Sequence, residues 1–385
     1  MNVLIYGDTE RSPELRHEVP LTIIDPFLYM ETDGRRAVLT NALEEARIAE
    51  AAPSIERLLG EKLGRDDLIA GGCSRAQVDQ ELCLRAVAAL GIRSALVPPD
   101  FPLVLGDRLR AAGIELQPDE DAFVQRRRRK TPAEIDGIRR AADAAMRAME
   151  EARRTLGEAE IRGGQLWLDG ELLTSEALRA RIRELCYRLG APVPPDILVR
   201  PMGANPQIGH YAGWGPLPAH TPILIDLWPR HEESGCWADM TRTFVRGEID
   251  DRVAELHALV LDAHERACAA VAPGVRGIEL YEIVCDLFEA AGHPTQRTKR
   301  PGDTLREGFY ASLGHGVGLE IHEPPILGRG GADQLIPGDV IAVEPGLVVP
   351  SLGGTRVEDL LLVTNDGAEN LTATSPHGLD VWILQ

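Results

Sequence analysis

Aromatic residues make up only 4% of the 385-residue chain, and cysteines number six. No apolar run approaches the ~18 residues that a bilayer crossing takes, so no membrane partner is expected. The six cysteines (Cys73, Cys83, Cys186, Cys236, Cys268 and Cys285) are widely spread and form no C-x-x-C pair. That argues against a zinc ribbon and a disulfide framework, and makes a reducing cytoplasm the simplest setting. The start has no basic stretch and only a short apolar run, Val3–Tyr6, so no secretory signal is expected. Positive charge is also scarce: 41 Lys and Arg stand against 60 Asp and Glu, a formal net charge of −19. A chain of that sign repels polyphosphate, and no nucleic-acid partner is expected. The excess acid suits a soluble protein and can also mark carboxylates collected for metal.

What is present is ordinary for a folded chain. Hydrophobic residues are 44% and charged residues 26%, and the length allows two or three domains at roughly 150 residues each. Residues 1–125 read as a small α/β unit, with strands over Val3–Tyr6 and Arg36–Leu39. Helices are expected over Ala42–Ala52, stopped by Pro53, and over Gln77–Leu90. The basic run Arg126–Lys130 reads as a solvated linker. A helix then starts for a local reason: Thr131 can cap, Pro132 loses nothing at the first position, and Glu134 can reach back to close a capping box. Ile135, Ile138, Ala142, Ala145, Met149, Ala152 and Leu156 give that helix one apolar stripe. The domain boundary is placed just before it, giving domains 1–125 and 126–385. Further helices are expected over Ser175–Leu189, Asp251–Val271 and Gly277–Ala291, with strands and turns over 194–249 and 309–365. This alternation looks like a duplicated layout.

The chemistry sits in those strand-rich stretches. Asp226 lies in the apolar strand Pro222–Trp228 and Asp239 in Ala238–Phe244, with a turn-rich segment between. Glu344 lies in Asp339–Glu344 and Glu358 in the strand from Thr355, with Pro350, Gly353 and Gly354 turning the chain. Two hairpins would thus carry two carboxylates each. Between them, the glycine-dense stretch Gly314–Glu323 holds His315 and His322, and such glycines let backbone pass close to a neighbour. Any one of these residues alone is ordinary. Together, four carboxylates on apolar strands would repel one another, and burying them unpaired costs several kcal/mol each. A pair of divalent cations removes that cost. Four carboxylates and an imidazole form a hard donor set suited to Mn²⁺, Co²⁺, Fe²⁺ or Zn²⁺. A pair held by bridging carboxylates is a two-metal hydrolase arrangement.

The motifs Ile225–Leu227, Ala238–Thr243, Gly314–Glu323, Val343–Gly346 and Gly354–Asp359 resemble those of the pita-bread metallopeptidases of M24 type. These include Xaa-Pro aminopeptidase, prolidase and methionine aminopeptidase. The resemblance covers roughly residues 130–385. The preceding part, including Asp25–Tyr29, resembles the creatinase-type N-terminal domain of prolidases and aminopeptidases P, which methionine aminopeptidases lack. It implies an α+β protein: a pita-bread catalytic domain of two αββ-type halves around a curved antiparallel sheet, preceded by a creatinase-type α/β domain. It implies two divalent metal ions, manganese first, with cobalt, zinc or iron as alternatives. Asp226 would bind one metal through both oxygens, Asp239 and Glu358 would bridge, and His315 and Glu344 would complete the other shell. Glu344 would also shuttle a proton. His322 matches the family histidine that stabilises the tetrahedral intermediate or its amine. His210 matches the histidine near the scissile-bond proline, and Arg356 is a candidate for orienting a carboxylate.

The implied activity is cleavage of the bond preceding proline in dipeptides or short peptides by metal-bound hydroxide, as an Xaa-Pro dipeptidase or aminopeptidase. A homodimer in the cytoplasm, acting on proline-containing peptides, goes with it. Two other readings use the same fold: a different aminopeptidase or a lyase with the same metals, and a non-catalytic binding protein. Three departures from the family pattern stand out. Ala311 takes the place of a histidine commonly found four residues before the metal histidine. The two aspartates are 13 residues apart, where the family more often has a shorter spacing. The segment Arg162–Gly170 is longer than the usual link before its helix.

Overall fold

A computed structural model describes residues 2–373 and 383–384. The extreme ends of the two expected domains, Met1, residues 374–382 and Gln385, lie outside the described residues. The chain divides into two units, Met1–Arg127 with Glu233–Gly235, and Arg128–Glu232 with Cys236–Gln385.

In the first unit, strands β1 (Val3–Gly7), β2 (Phe27–Thr32) and β3 (Arg35–Thr40) form an antiparallel meander. Strands β4 (Glu56–Leu59), β5 (Ser94–Val97) and β6 (Glu115–Pro118) join it in parallel, in the order β4-β3-β2-β1-β5-β6. Both faces of this sheet are covered, which is why its central strands are apolar without alternation. Leu4, Leu28 and Met30 pack under Val78, Leu82 and Ala86 of the helix Arg75–Ala89. Val3, Ile5 and Tyr29 pack with Leu15, Ile48 and Phe123 on the other side. Strand β2 escaped the sequence reading. The helix expected from Ala42 begins only at Glu45, because Asn41 Oδ1 accepts from the amides of Leu43 and Glu44 and holds a turn there.

The basic run is not a solvated linker, which corrects the sequence expectation. Arg126–Arg128 close the helix Glu120–Arg128. Within the first unit, Arg126 bonds Glu18 and Glu31, and Arg127 pairs with Glu14. Within the second, Arg128 makes a fork of two bonds to Asp339 (2.9 and 2.7 Å), and Lys130 Nζ donates to Glu323 Oε1 at 2.7 Å. The side chains of those last two pairs are 0–4% exposed. Buried cations persist because each has a carboxylate, and those carboxylates lie far away in sequence.

The second unit opens with the helix Pro132–Glu158. The capping box forms, with Thr131 and Glu134 each donating a backbone N–H to the other's side chain. Its apolar stripe packs with the helix Ser175–Arg188 on the strands β10 (Leu198–Pro201), β11 (Ile223–Leu227) and β12 (Met240–Arg246). Between the two helices, the lengthened segment forms a three-stranded meander, β7 (Glu160–Arg162), β8 (Gln165–Leu168) and β9 (Glu171–Leu172). Its two-residue turns, Gly163-Gly164 and Asp169-Gly170, all have positive φ, as tight hairpin turns of the primed type require.

The second half repeats the plan. The helices Asp251–Ala269 and Gly277–Ala290 pack on a sheet of β13 (Gly314–Gly316), β14 (Glu323–Leu327), β15 (Val340–Val343), β18 (Asp359–Val363) and β19 (Ala368–Asn370). Leu256, Val260, Leu280, Val284 and Phe288 meet Ile341, Val343 and Leu361 in its core. Strands β16 (Gly346–Val349) and β17 (Gly353–Arg356) form a separate antiparallel pair. Strand β20 (Ile383–Leu384) runs parallel to β12.

Candidate metal centre

The carboxylates sit where strand pairing stops. Asp226 faces Thr241 across β11–β12, and Asp239 lies one residue beyond the last pair of that ladder, Leu227–Met240. Glu344 and Glu358 lie in the gap between two ladders of one hairpin, after the pair Val343–Asp359 and before Gly346–Arg356. Pro345 occupies that gap and has no N–H to donate, so the ladder breaks there. Both glutamates leave the apolar sheet at this joint.

His315 is aimed by a bulge between His315 and Gly316, where the β13–β14 register shifts. The glycines flanking it are needed for close backbone packing. A Cβ on Gly314 would lie 1.9 Å from the carbonyl oxygen of Ala342, and one on Gly316 would lie 2.4 Å from that of Pro324. The neighbour that the glycine density anticipated is therefore the adjacent strands.

These elements enclose a cavity of ≈ 140 Å³. Asp226, Asp239, His315, Glu344 and Glu358 line it, together with His210, His322 and Arg356. Every site residue singled out from the sequence thus borders one space. Ligand atoms of Asp226, Asp239 and Glu358 lie within 4.8 Å of one another, as do those of His315, Glu344 and Glu358. Glu358 belongs to both clusters. His315 Nε2 is 3.7 Å from Asp239 Oδ2 and 3.6 Å from Glu344 Oε1. His322, seven residues from His315, was not required to share its face. The turn after β13 brings the two rings edge to face, with centroids 4.4 Å apart.

The electrostatics are unbalanced. Arg356 bonds Asp226 and lies 3.2 Å from Glu344 Oε2, and it faces four carboxylates. Burial works against its charge, but the carboxylates of Asp226 and Glu344 outweigh burial and hold the guanidinium firmly protonated. Burial and the neighbouring carboxylates push the pKa values of Asp239 and Glu358 well above the usual range. Burial likewise raises Glu344, to about 7, with Arg356 opposing and Asp226 adding to the shift. Burial lowers both His315 and His322 and favours neutral imidazoles. Glu358 Oε2 accepts from Thr241 Oγ1 at 2.7 Å, whereas Glu358 Oε1 is buried with no hydrogen-bond partner. A bare carboxylate oxygen, mutually repelling acids and a neutral imidazole are the donors a divalent cation takes up, so the residues fit two such ions.

Sequence reasoning missed several supporting residues. Trp228 and Ile321 also wall the cavity. Behind Glu358, the buried Asp359 accepts from Arg242 (2.6 Å), Thr372 (2.8 Å) and Asn370 (2.7 Å). Thr241 and Arg242 lie within the motif Ala238–Thr243, and their polarity on a buried strand is the available signal. Asn370 and Thr372 gave none.

Residues 136–365 match the model of metallopeptidase family M24. The chain is 30% identical over 296 residues to the Xaa-Pro dipeptidase of Pyrococcus furiosus, covering 76% of this chain and 75% of that protein. In fold it is similar to the Xaa-Pro dipeptidase from Bacillus anthracis, with a TM-score of 0.78 and 24% identity over 100% of this chain and 95% of that one. It is also similar to the X-Pro aminopeptidase from Thermotoga maritima, with a TM-score of 0.77 and 22% identity over 99% and 97%. The chain belongs to metallopeptidase family M24 and is a metallopeptidase of the pita-bread fold.

Proposed function

We propose that this metallopeptidase hydrolyses the peptide bond preceding proline in dipeptides or short peptides. The observation that carries the reading is the single cavity in which Asp226, Asp239, His315, Glu344 and Glu358 meet, with one carboxylate oxygen left bare. The Xaa-Pro dipeptidases among its relatives support the choice of substrate. Asp226, Asp239 and Glu358 would hold one divalent ion, and His315, Glu344, Asp239 and Glu358 the other, with manganese the first choice. Bound there, the ions would lower the pKa of water and polarise the scissile carbonyl.

The protein's own groups do the remaining work. Glu344, which borders the cavity and lies beside Arg356, would take a proton at a carboxylate oxygen and deliver it to the leaving nitrogen. His322 is kept neutral by burial and can donate a hydrogen bond to oxygen charge developing on the attacked carbon. His210 borders the cavity on a surface loop and would contact the leaving residue. Arg356 fixes Asp226 and Glu344 in place. A cytoplasmic homodimer is part of the same proposal, with all six cysteines as free thiols.

The test is release of proline from Ala-Pro and from an Xaa-Pro-Xaa peptide, with added Mn²⁺ or Co²⁺ and a chelator control. Metal-dependent release is expected. No release by folded, metal-loaded protein would reject the proline reading. It would favour a non-proline substrate, to which Ala311, beside the neighbouring cavity, would be the first pointer.

A further inference from the structure

A second cavity adjoins the metal centre and shares Glu344 and Arg356 with it. Its other walls include Met202, Leu224, Val348 and Tyr310, with Ala311 at one side and Arg200 at another. It measures ≈ 30 Å³. That is room for a group on the scale of a carboxylate and too little for a further residue.

Arg200 is the unusual feature. It lies on β10 opposite Leu224, on an apolar strand, and is 3% exposed. Its Nη1 donates to the carbonyl oxygen of Gly209 at 2.6 Å, while its buried Nε has no partner. Among the described residues no carboxylate pairs with it. Burial and then the neighbouring cation Arg356 disfavour its protonated form, with Tyr310 and the Asp226 carboxylate opposing only in part. Leaving a buried charge without a counter-ion is costly, and a ligand that supplies one is favoured. Arg356 cannot serve as that ligand's sole anchor, since Asp226 and Glu344 already engage it.

The two cavities are therefore complementary to the two ends of a very short peptide. The acid-rich metal centre suits the amine end. In the second cavity Glu344 is already engaged by Arg356, which leaves the Arg200 guanidinium to favour an acid one residue further on. Ala311 presents only a methyl there, so the recognising charge comes from β10.

We infer that Arg200 is a specificity-determining residue that binds a carboxylate of the leaving residue, its C-terminal carboxylate, and so makes the enzyme a dipeptidase. The inference rests on the peptidase reading above. The same chemistry could be met by an acidic side chain on the leaving residue, and the substrates below separate the two. Arg200 also holds the loop before His210 through Gly209. If that were its whole role, its loss would weaken every substrate alike.

The experiment compares the Mn²⁺-loaded wild type with Arg200→Gln and Arg200→Lys on Ala-Pro, Ala-Pro-amide and Ala-Glu-amide. Metal content and melting temperature serve as folding controls. A charge-assisted bond to a buried guanidinium corresponds to roughly 10–100-fold. The expected result is that the kcat/KM ratio of Ala-Pro to Ala-Pro-amide falls by about that factor in Arg200→Gln, mainly through KM. Arg200→Lys should keep part of it. Equal losses on the free acid and its amide, or no loss, would overturn the inference. So would a wild type that prefers Ala-Glu-amide to Ala-Pro, since that assigns the pocket to an acidic side chain. If the wild type cleaves none of the three, the peptidase reading fails separately. Calorimetry with L-proline and L-prolinamide then decides on Arg200: binding of proline that is lost in Arg200→Gln upholds the carboxylate site, and equal binding of both ligands rejects it.

Discussion

Two buried charge clusters in the catalytic unit obey opposite rules. At Arg128–Asp339 and Lys130–Glu323 every cation has one carboxylate, side chains are 0–4% exposed, and the charges cancel. Around Asp239, four carboxylates share one guanidinium and one oxygen has no partner at all. Balanced pairs of this kind are structural: they specify where a segment docks. The unbalanced cluster calls for added positive charge, and that need is what marks it as a candidate site.

The comparison can be broken first at Asp239. Asp239→Ala is expected to abolish activity and to lower bound metal, read by elemental analysis. Full activity with two metals retained would mean the ligand assignment is wrong. The balanced cluster should respond the other way. Arg128→Met strands the buried Asp339 and should cost about 3–5 kcal/mol of stability, seen in denaturant melts, without changing metal content. A loss of metal there would erase the distinction.

A third measurement sharpens it through pH. In chelated protein Glu344 titrates near 7, above its unfolded value, with Asp239 and Glu358 also raised. The native state therefore holds more protons than the unfolded one between the two values. Stability is full below about pH 4.5, the ordinary glutamate range, and is lost as pH rises through about 7. The melting temperature of the chelated form should fall over that window, and saturating Mn²⁺ should flatten or reverse the trend. The smallest expected effect is at Thr241. Thr241→Val removes the hydroxyl hydrogen bond to Glu358 Oε2 and should weaken metal affinity by roughly ten-fold, with stability changed by about 1 kcal/mol. An unchanged affinity would show that Glu358 is held by its backbone alone.

Much of this was legible in the sequence because its causes are local. The helix from Pro132 announced itself through the Thr131–Glu134 box and an apolar stripe. The carboxylate hairpins stood out because acids are out of place on apolar strands. What escaped depended on distant partners. Arg128 and Lys130 read as solvent-facing because Asp339 and Glu323 are 211 and 193 residues away. Arg200 drew no attention, since only the fold shows that its strand faces a pocket in which no carboxylate pairs with it among the described residues. The closeness of His322 to His315 depends on the turn after β13, which spacing alone does not convey.

The stitch between β12 and the second half has a consequence for how the chain assembles. Thr241 meets Glu358 through the carbonyl oxygen as well as the hydroxyl, and Thr243 Oγ1 bonds the backbone of Arg356 at 2.9 and 3.1 Å. These partners are 113 and 117 residues apart, so the metal pocket is expected to be among the last features a folding chain completes. Ions then cannot guide the search for the native topology and can only lock its result. Refolding should run at the same rate with chelator or with Mn²⁺, while the ions slow unfolding; a marked acceleration of refolding by Mn²⁺ would show that part of the pocket forms early.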